Sequence, residues 1–342
     1  MSDAQLPVIV ITGASGGVGR ATVRQFATRP GVKLALIARG HKGLEGARHE
    51  AEQAGAKAIV IQADVADPQS VESAAQRAEE ELGPIDIWVN VAMTTVFGPF
   101  LSVTPEEYKR ITEVTYLGYV NGTRAALSRM APRNKGTIVQ VGSSVAYRGI
   151  PLQTAYSGAK HAIQGFTESL REELIHEKSA VKLTMVQLPA IDTTQFKWCK
   201  NALERKWQPV PPIYSPEVVA RAIVWAAYHP RQREYYVGGS TFKAIWADKT
   251  VPGFVDRFLG TKGYDSQLYD GYNYPDKPNN LWEPVDEDMG AHGDFASRSR
   301  KGSPQVWALT HPRTTRVMLV TGSMLAGAGY ALSRVLARKV GH

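Results

Sequence analysis

The chain is expected to fold as an α/β protein on a doubly wound parallel sheet, with a C-terminal extension. Three observations carry that expectation. Short β-rich apolar runs alternate with amphipathic helical stretches through the first 240 residues. A glycine-rich turn follows the first run directly, and several helical stretches open on recognisable capping residues. Alternation on this scale needs crossover helices on both faces of a parallel sheet, and such sheets bind ligands beyond the carboxyl ends of their strands.

In order, the apolar runs are Pro7–Thr12, Lys33–Ala38, Ala58–Gln62, Ile85–Asn90, Thr137–Gly142, Val181–Gln187 and Tyr235–Val237, giving about seven strands. Asp67 before Pro68 reads as an N-cap with proline at the first helical position, and Ser215–Pro216 repeats the device. Thr104-Pro105-Glu106-Glu107 reads as a capping box. Residues 1–240 are therefore one expected domain. From 241 to 312, Gly, Pro, Asp, Asn and aromatic residues recur without a sustained period, which predicts an irregular, partly disordered extension.

Residues 313–342 contain the uncharged run Val317–Ser333, flanked by Arg316 and by Arg334, Arg338 and Lys339. As a helix it would be about 26 Å long, slightly short of a roughly 30 Å hydrocarbon core. Gly322 with Ala326, and Ser323 with Gly327, are small residues four apart that suit close helix packing in lipid. A transmembrane or surface anchor, a helix docked on the domain, and a contact within a homo-oligomer all stay open for this tail.

With 342 residues, 43% of them hydrophobic and 21% charged, the chain can bury a sizeable core. Its single cysteine, Cys199, excludes an internal disulfide and any Cys-rich metal site. No metal is expected, and a reducing, cytoplasmic setting is favoured. The opening MSDAQLPVIV has no basic stretch followed by a long apolar run, so no signal peptide is expected. The net charge of +8 comes entirely from the eight basic residues after position 294, a region without a single acid. The body is neutral, which argues against a nucleic-acid-binding domain.

The turn "ITGASGGVGR" places Gly13, Gly17 and Gly19 between the first strand and a helix. Glycine there allows a tight turn and brings backbone N–H groups close to a pyrophosphate at a helix N-terminus, as in Rossmann-type folds. The second strand ends "ALIARG", and no acid occurs between Lys33 and Glu45, while Arg39, His41 and Lys42 cluster. An arginine there clamps a 2′-phosphate where an acid would meet ribose hydroxyls, which favours NADP(H).

In "TAYSGAKHAI", Tyr156 and Lys160 stand four apart on a helical stretch. Alone, such a pair usually means a ring lying along a solvated lysine stem. The assembled motifs change that reading. "TGASGGVG" (12–19), "ADV" (63–65), "VNVA" (89–92), "VGSS" (141–144), "YSGAK" (156–160) and "LPAIDT" (188–193) resemble, in order and spacing, the short-chain dehydrogenase/reductase family over about residues 7–240.

The resemblance implies an oxidoreductase acting on a ketone or aldehyde and its alcohol. Tyr156 is then the general acid or base, Lys160 the cation beside it and a ribose contact, and Ser143 the hydrogen-bond partner of the substrate oxygen. It implies cofactor contacts from Gly13, Ser15, Gly17, Val18 and Gly19, from Asp64 and Val65, from Asn90 and Ala92, and from Pro189, Ile191 and Thr193. Met93 and Ala190 depart from the family pattern, and Thr115 stands where an asparagine often supports a water relay to the lysine. A threonine reaches differently, so its part in the relay stays open. Phe196, Trp198, Trp207, Val210, Ile213 and Tyr214 follow as either the roof of an apolar substrate pocket or buried core. A cofactor-binding regulator, catalytically weak or membrane-tethered, is the alternative on the same fold.

Overall fold

The structure, a computed structural model, describes residues 6–315. Seven parallel strands form the central sheet: β1 (Val8–Thr12), β2 (Lys33–Ala38), β3 (Lys57–Gln62), β4 (Ile85–Asn90), β5 (Thr137–Val141), β6 (Lys182–Gln187) and β7 (Glu234–Tyr236). Their spatial order is β7-β6-β5-β4-β1-β2-β3, so the order reverses at β1. Ligands of doubly wound sheets bind beyond the strand ends at such a reversal.

Side-chain alternation along β1 shows why both faces are covered. Ile9 and Ile11 pack with α1 (Gly17–Ala27), α2 (His41–Gln53) and α8 (Pro216–Tyr228) through Phe26, Leu44 and Ile223. Val8 and Val10 face the opposite layer, meeting α3 (Pro68–Leu82), α5 (Gly118–Met130) and α6 (Thr154–His176) through Val71, Met130 and Leu174. The Asp67 carboxylate accepts from Gln69 N, and Thr104 and Glu107 close a full capping box at α4 (Pro105–Thr112). Ser215 holds the N-cap position of α8, but its side chain makes no capping bond. A π-helical turn, Glu113–Leu117, joins α4 to α5.

Asn90 sits at the end of β4 as a structural residue and not, as expected, on the cofactor cleft. Its side chain is fully buried, accepts from Trp88 Nε1 at 2.8 Å and donates to Gln140 Oε1 at 2.9 Å and Thr123 Oγ1 at 3.2 Å. It ties β4 to β5 and α5.

The stretch expected to be irregular from 241 onward instead carries regular elements. Helix α9 (Gly239–Thr250) straddles the boundary set at 240. Helices α10 (Pro252–Phe258) and α11 (Pro304–Thr310) follow, with short strand pairings between them. From Asn280 to Phe295 the chain runs back across the glycine turn. Leu281 is fully buried there, Gly17 N donates to Gly290 O at 3.1 Å, and Phe295 N donates to Asp192 Oδ1 at 3.0 Å. The buried Arg20 guanidinium bridges Glu50 and Asp288. Scattered polar anchors, not periodic apolar faces, hold this arm, so no period marks it in the sequence. Among the described residues no helix is long and apolar enough to cross a membrane. The run 317–333 lies outside them.

Asn90→Ala leaves Trp88 Nε1 and Gln140 short of a partner in a dry interior, at about 1–3 kcal/mol. The variant is expected to lower the urea midpoint by that free energy divided by the denaturant slope, with the slope itself unchanged.

Candidate active site

The carboxyl ends of the strands open onto one cavity of about 650 Å³. It runs from the glycine turn to Tyr156 and on to α9 and α10, with its walls drawn from the sheet, from α6 and from the C-terminal arm.

Gly13, Ser15, Gly17 and Val18 line the phosphate end. At Gly13 φ is +70°, and a Cβ would come within 2.8 Å of Ala92 Cα, so glycine is required twice over. Gly19 does not reach the cavity. A Cβ there would meet the Gly13 carbonyl, so this glycine lets α1 pack on the turn. The turn therefore stays open toward the cavity. Thr194 Oγ1 would lie within 3.2 Å of a Cβ at Gly16, and it is buried without a hydrogen-bond partner among the described residues. An orphaned donor beside a bare glycine turn fits a pyrophosphate.

Val65, Ala92, Pro189, Ile191 and Thr193 also line the cavity, together with Asp64 and Arg39. The Asp64 carboxylate accepts from Ala66 N at 3.0 Å and from Arg110 at 2.5 Å. Burial alone would raise its pKa, but the Arg110 and Ala66 bonds, with the charges of Arg110 and Arg39, hold it below the usual range. Arg39 is not a free clamp. Its guanidinium donates to the backbone carbonyl of Trp282 at 2.7 Å and to that of Asn280. Asp64 and Glu283 are the carboxylates whose charges act on it, and next to Gly40 the Asp286 carboxylate accepts from Lys42 N at 2.9 Å, at the start of α2. The loop after β2 has no acid of its own; the arm brings one in.

At the other end, Ser143 follows β5, while Tyr156 and Lys160 stand one turn apart on α6, and all three line the cavity. Lys160 is only 2% exposed. Its Nζ donates to Val141 O at 2.8 Å and to the Tyr119 hydroxyl at 3.1 Å, and lies 5.6 Å from the Tyr156 ring centroid. Burial pushes the ammonium down to about 7. Burial also raises the Tyr156 phenol well above its ordinary value, with Ser143 acting against the shift. Desolvation is the dominant influence on this phenol. Tyr156 is held as a neutral phenol.

Thr115 lies outside the cavity. Its hydroxyl donates to Thr94 O at 2.7 Å and accepts from Thr94 N at 3.1 Å, which ties it to the backbone after β4 and not to the lysine. The residue sequence reasoning missed is Tyr119, one helical turn further on and fully buried, whose hydroxyl also donates to Val141 O at 2.8 Å. A tyrosine three residues after another, in a helix of mixed polarity, gave no signal of its own. Phe196, Trp198 and Val210 line the cavity, whereas Trp207, Ile213 and Tyr214 are core residues. Cys199 is buried, which pushes its thiol up to about 12 and leaves it inert near neutral pH.

The family model for short chain dehydrogenases matches residues 7–203. The uncharacterized oxidoreductase YxnA of Bacillus subtilis is 33% identical over 327 residues, covering 94% of this chain and 88% of its own. The 3-dehydrosphinganine reductase of Danio rerio is 33% identical over 229 residues, 63% of this chain and 67% of its own. Among solved structures, an alcohol dehydrogenase from the archaeon Thermococcus sibiricus, complexed with 5-hydroxy-NADP, is similar with a TM-score of 0.58 at 27% identity. That match covers 68% of this chain and 95% of the other.

The buried lysine makes a linkage prediction. Between about pH 7 and the ordinary lysine pKa of 10.5, the unfolded chain binds a proton that folded Lys160 gives up. Stability of the cofactor-free protein should therefore rise with pH across that window. Denaturation curves taken through the window should show Lys160→Met lacking this part of the slope.

Proposed function

Because this chain belongs to the short-chain dehydrogenase family of oxidoreductases, we propose that it interconverts a ketone or aldehyde and its alcohol with NADP(H), on an apolar substrate, through Ser143, Tyr156 and Lys160. The observation that carries this is the convergence of those three side chains on a cavity continuous with the glycine turn. A nicotinamide cofactor would supply or accept the hydride. Gly13, Ser15, Gly17 and Thr194 would hold its pyrophosphate, and Lys160 and Thr193 its nicotinamide end.

Tyr156 Oη keeps its proton in the resting protein, as a general acid for reduction must. Ser143 Oγ orients the substrate oxygen toward that proton and stabilises charge developing on it. The Lys160 ammonium, with a pKa near neutrality, stabilises the phenolate left behind and exchanges its own proton readily. Tyr119 fixes Lys160 by accepting from Nζ while donating to Val141 O. It thereby takes the supporting place that Thr115 has left. The apolar-substrate reading rests on Phe196, Trp198, Val210, Phe254, Phe258 and Leu259 around the far end of the cavity.

Arg39 on the cavity wall and the NADP-type ligand of the Thermococcus sibiricus enzyme support NADP(H). The Asp286 carboxylate at the start of α2 favours a second reading, use of NAD(H), since a carboxylate there suits ribose hydroxyls and repels a phosphate.

Turnover of a panel of ketones with NADPH is the primary test, and Tyr156→Phe should abolish it while NADPH still binds. Tyr119→Phe removes a hydrogen bond to a charged group, worth about 1.5–3 kcal/mol, and should slow turnover roughly ten- to a hundredfold. It should also move the pH–rate profile and leave KM for NADPH nearly unchanged. An unaltered profile would reduce Tyr119 to packing.

Fluorescence titration separates the cofactor readings. Arg39→Ala should cut the preference for NADPH over NADH by about one to two powers of ten. Asp286→Asn should raise that preference if the carboxylate opposes the phosphate.

A further inference from the structure

We propose that α9 and α10 dock this protein on an anionic lipid surface, with the mouth of the cavity facing the bilayer. The proposal stands on the outer face of these helices and does not depend on the substrate or the cofactor.

The two helices put an unusual set of side chains outward. Among the described residues, Phe242, Trp246, Val251, Phe254 and Phe258 are 49%, 59%, 49%, 69% and 53% exposed. Their inner side is well anchored. Thr241, Ile245 and Val255 are buried, and Arg148 binds Asp248 at 3.0 Å and Asp256 at 2.5 Å. The exposure is thus a property of a seated element. The rings pair within each helix, Phe242 with Trp246 and Phe254 with Phe258, and exposed apolar side chains grouped in this way mark a contact surface.

Charge identifies the occupant. Between Gly239 and Tyr264 the only acids are Asp248 and Asp256, and Arg148 engages both. The remaining charged residues, Lys243, Lys249, Arg257 and Lys262, are all basic and all exposed. A second copy seated on this face about a two-fold axis would set basic residues against basic residues. The chain's own stretch 316–342 carries Arg316, Arg334, Arg338 and Lys339 and no acid, so it offers these cations no opposite charge. Aromatic side chains ringed by lysine and arginine match the headgroup region of an anionic bilayer, where rings enter the interface and cations meet lipid phosphate and carboxylate.

Position relative to the cavity gives the surface a use. Phe254 and Phe258 line the cavity and yet are more than half exposed, so the cavity opens through the aromatic face. A protein docked there takes an apolar compound from the bilayer without passing it through water.

The test uses the full chain with vesicles of phosphatidylcholine, alone or mixed with phosphatidylserine. Wild type should sediment with the mixed vesicles far more than with the neutral ones. Arg257→Glu/Lys262→Glu should lower partition to the mixed vesicles about tenfold or more. Neither residue lines the cavity, so cofactor binding should be retained, which shows that the variant is folded. Because the basic tail can itself attract lipid, brominated lipids supply the local readout. They should quench wild-type fluorescence more than that of Trp246→Phe, since Trp246 would be in the interface. Equal quenching of the two proteins, or partition unchanged by the charge reversal, overturns the proposal. So does a change from dimer to monomer on Phe242→Ser/Trp246→Ser with vesicle binding intact, which would assign the face to a second copy.

Discussion

A lysine ammonium buried to 2% exposure is the constraint around which the catalytic end is arranged. Removing such a group from water costs several kcal/mol unless it finds hydrogen-bond acceptors. Lys160 finds two, the Val141 carbonyl and the Tyr119 hydroxyl, which come from the end of β5 and from α5. Three elements must therefore meet at one point. The same meeting sets Tyr156 one turn away on α6 and Ser143 just past the end of β5. With only two oxygen acceptors the burial is incompletely compensated, and the ammonium loses its proton near neutral pH. A poised lysine beside a protonated phenol is a pair whose environments have pushed the two groups in opposite directions, a recurrent sign of acid–base chemistry.

The cofactor end rests on a different balance. The glycine turn carries almost no side-chain bulk, and the neighbouring arm packs against it, with Gly290 O accepting from Gly17 N. Its carbonyls engage Arg39, its Asp286 carboxylate caps the start of α2, and its Asp288 shares the buried Arg20. The charges around the end of β2 therefore depend on the position of a segment more than two hundred residues further along the chain. Charges of both signs lie within a few residues of one another there, so single substitutions on either side should act in opposite senses.

How much of this was legible in the sequence differs by element. The seven strands and the cleft at their carboxyl ends could be read because buried parallel strands are short continuous apolar runs and their helices start at caps. Tyr156, Lys160 and Ser143 were legible because one helical turn and one strand end suffice to place them. Asn90 and Gly19 were placed in the right neighbourhood with the wrong task. Each sits beside the cleft but turns away from it, and a one-residue change of face cannot be read without the pleat and the helix phase. Thr115 was misleading for a similar reason. Its hydroxyl is tied to the backbone of Thr94, and the group that reaches Lys160 comes from the next helical turn.

Sequence by itself determined the layered α/β architecture, the glycine turn and the placing of Tyr156 and Lys160 one helical turn apart. Local spacing and periodicity encode all three through the geometry of helix and strand. Tertiary structure alone decided which acceptors hold Lys160, which carboxylate stands at the start of α2, and which side chains face out around the cavity mouth. Each of these is a contact between segments far apart in the chain. Such contacts depend on where polar atoms find partners after the core has formed, and no spacing along the chain records that.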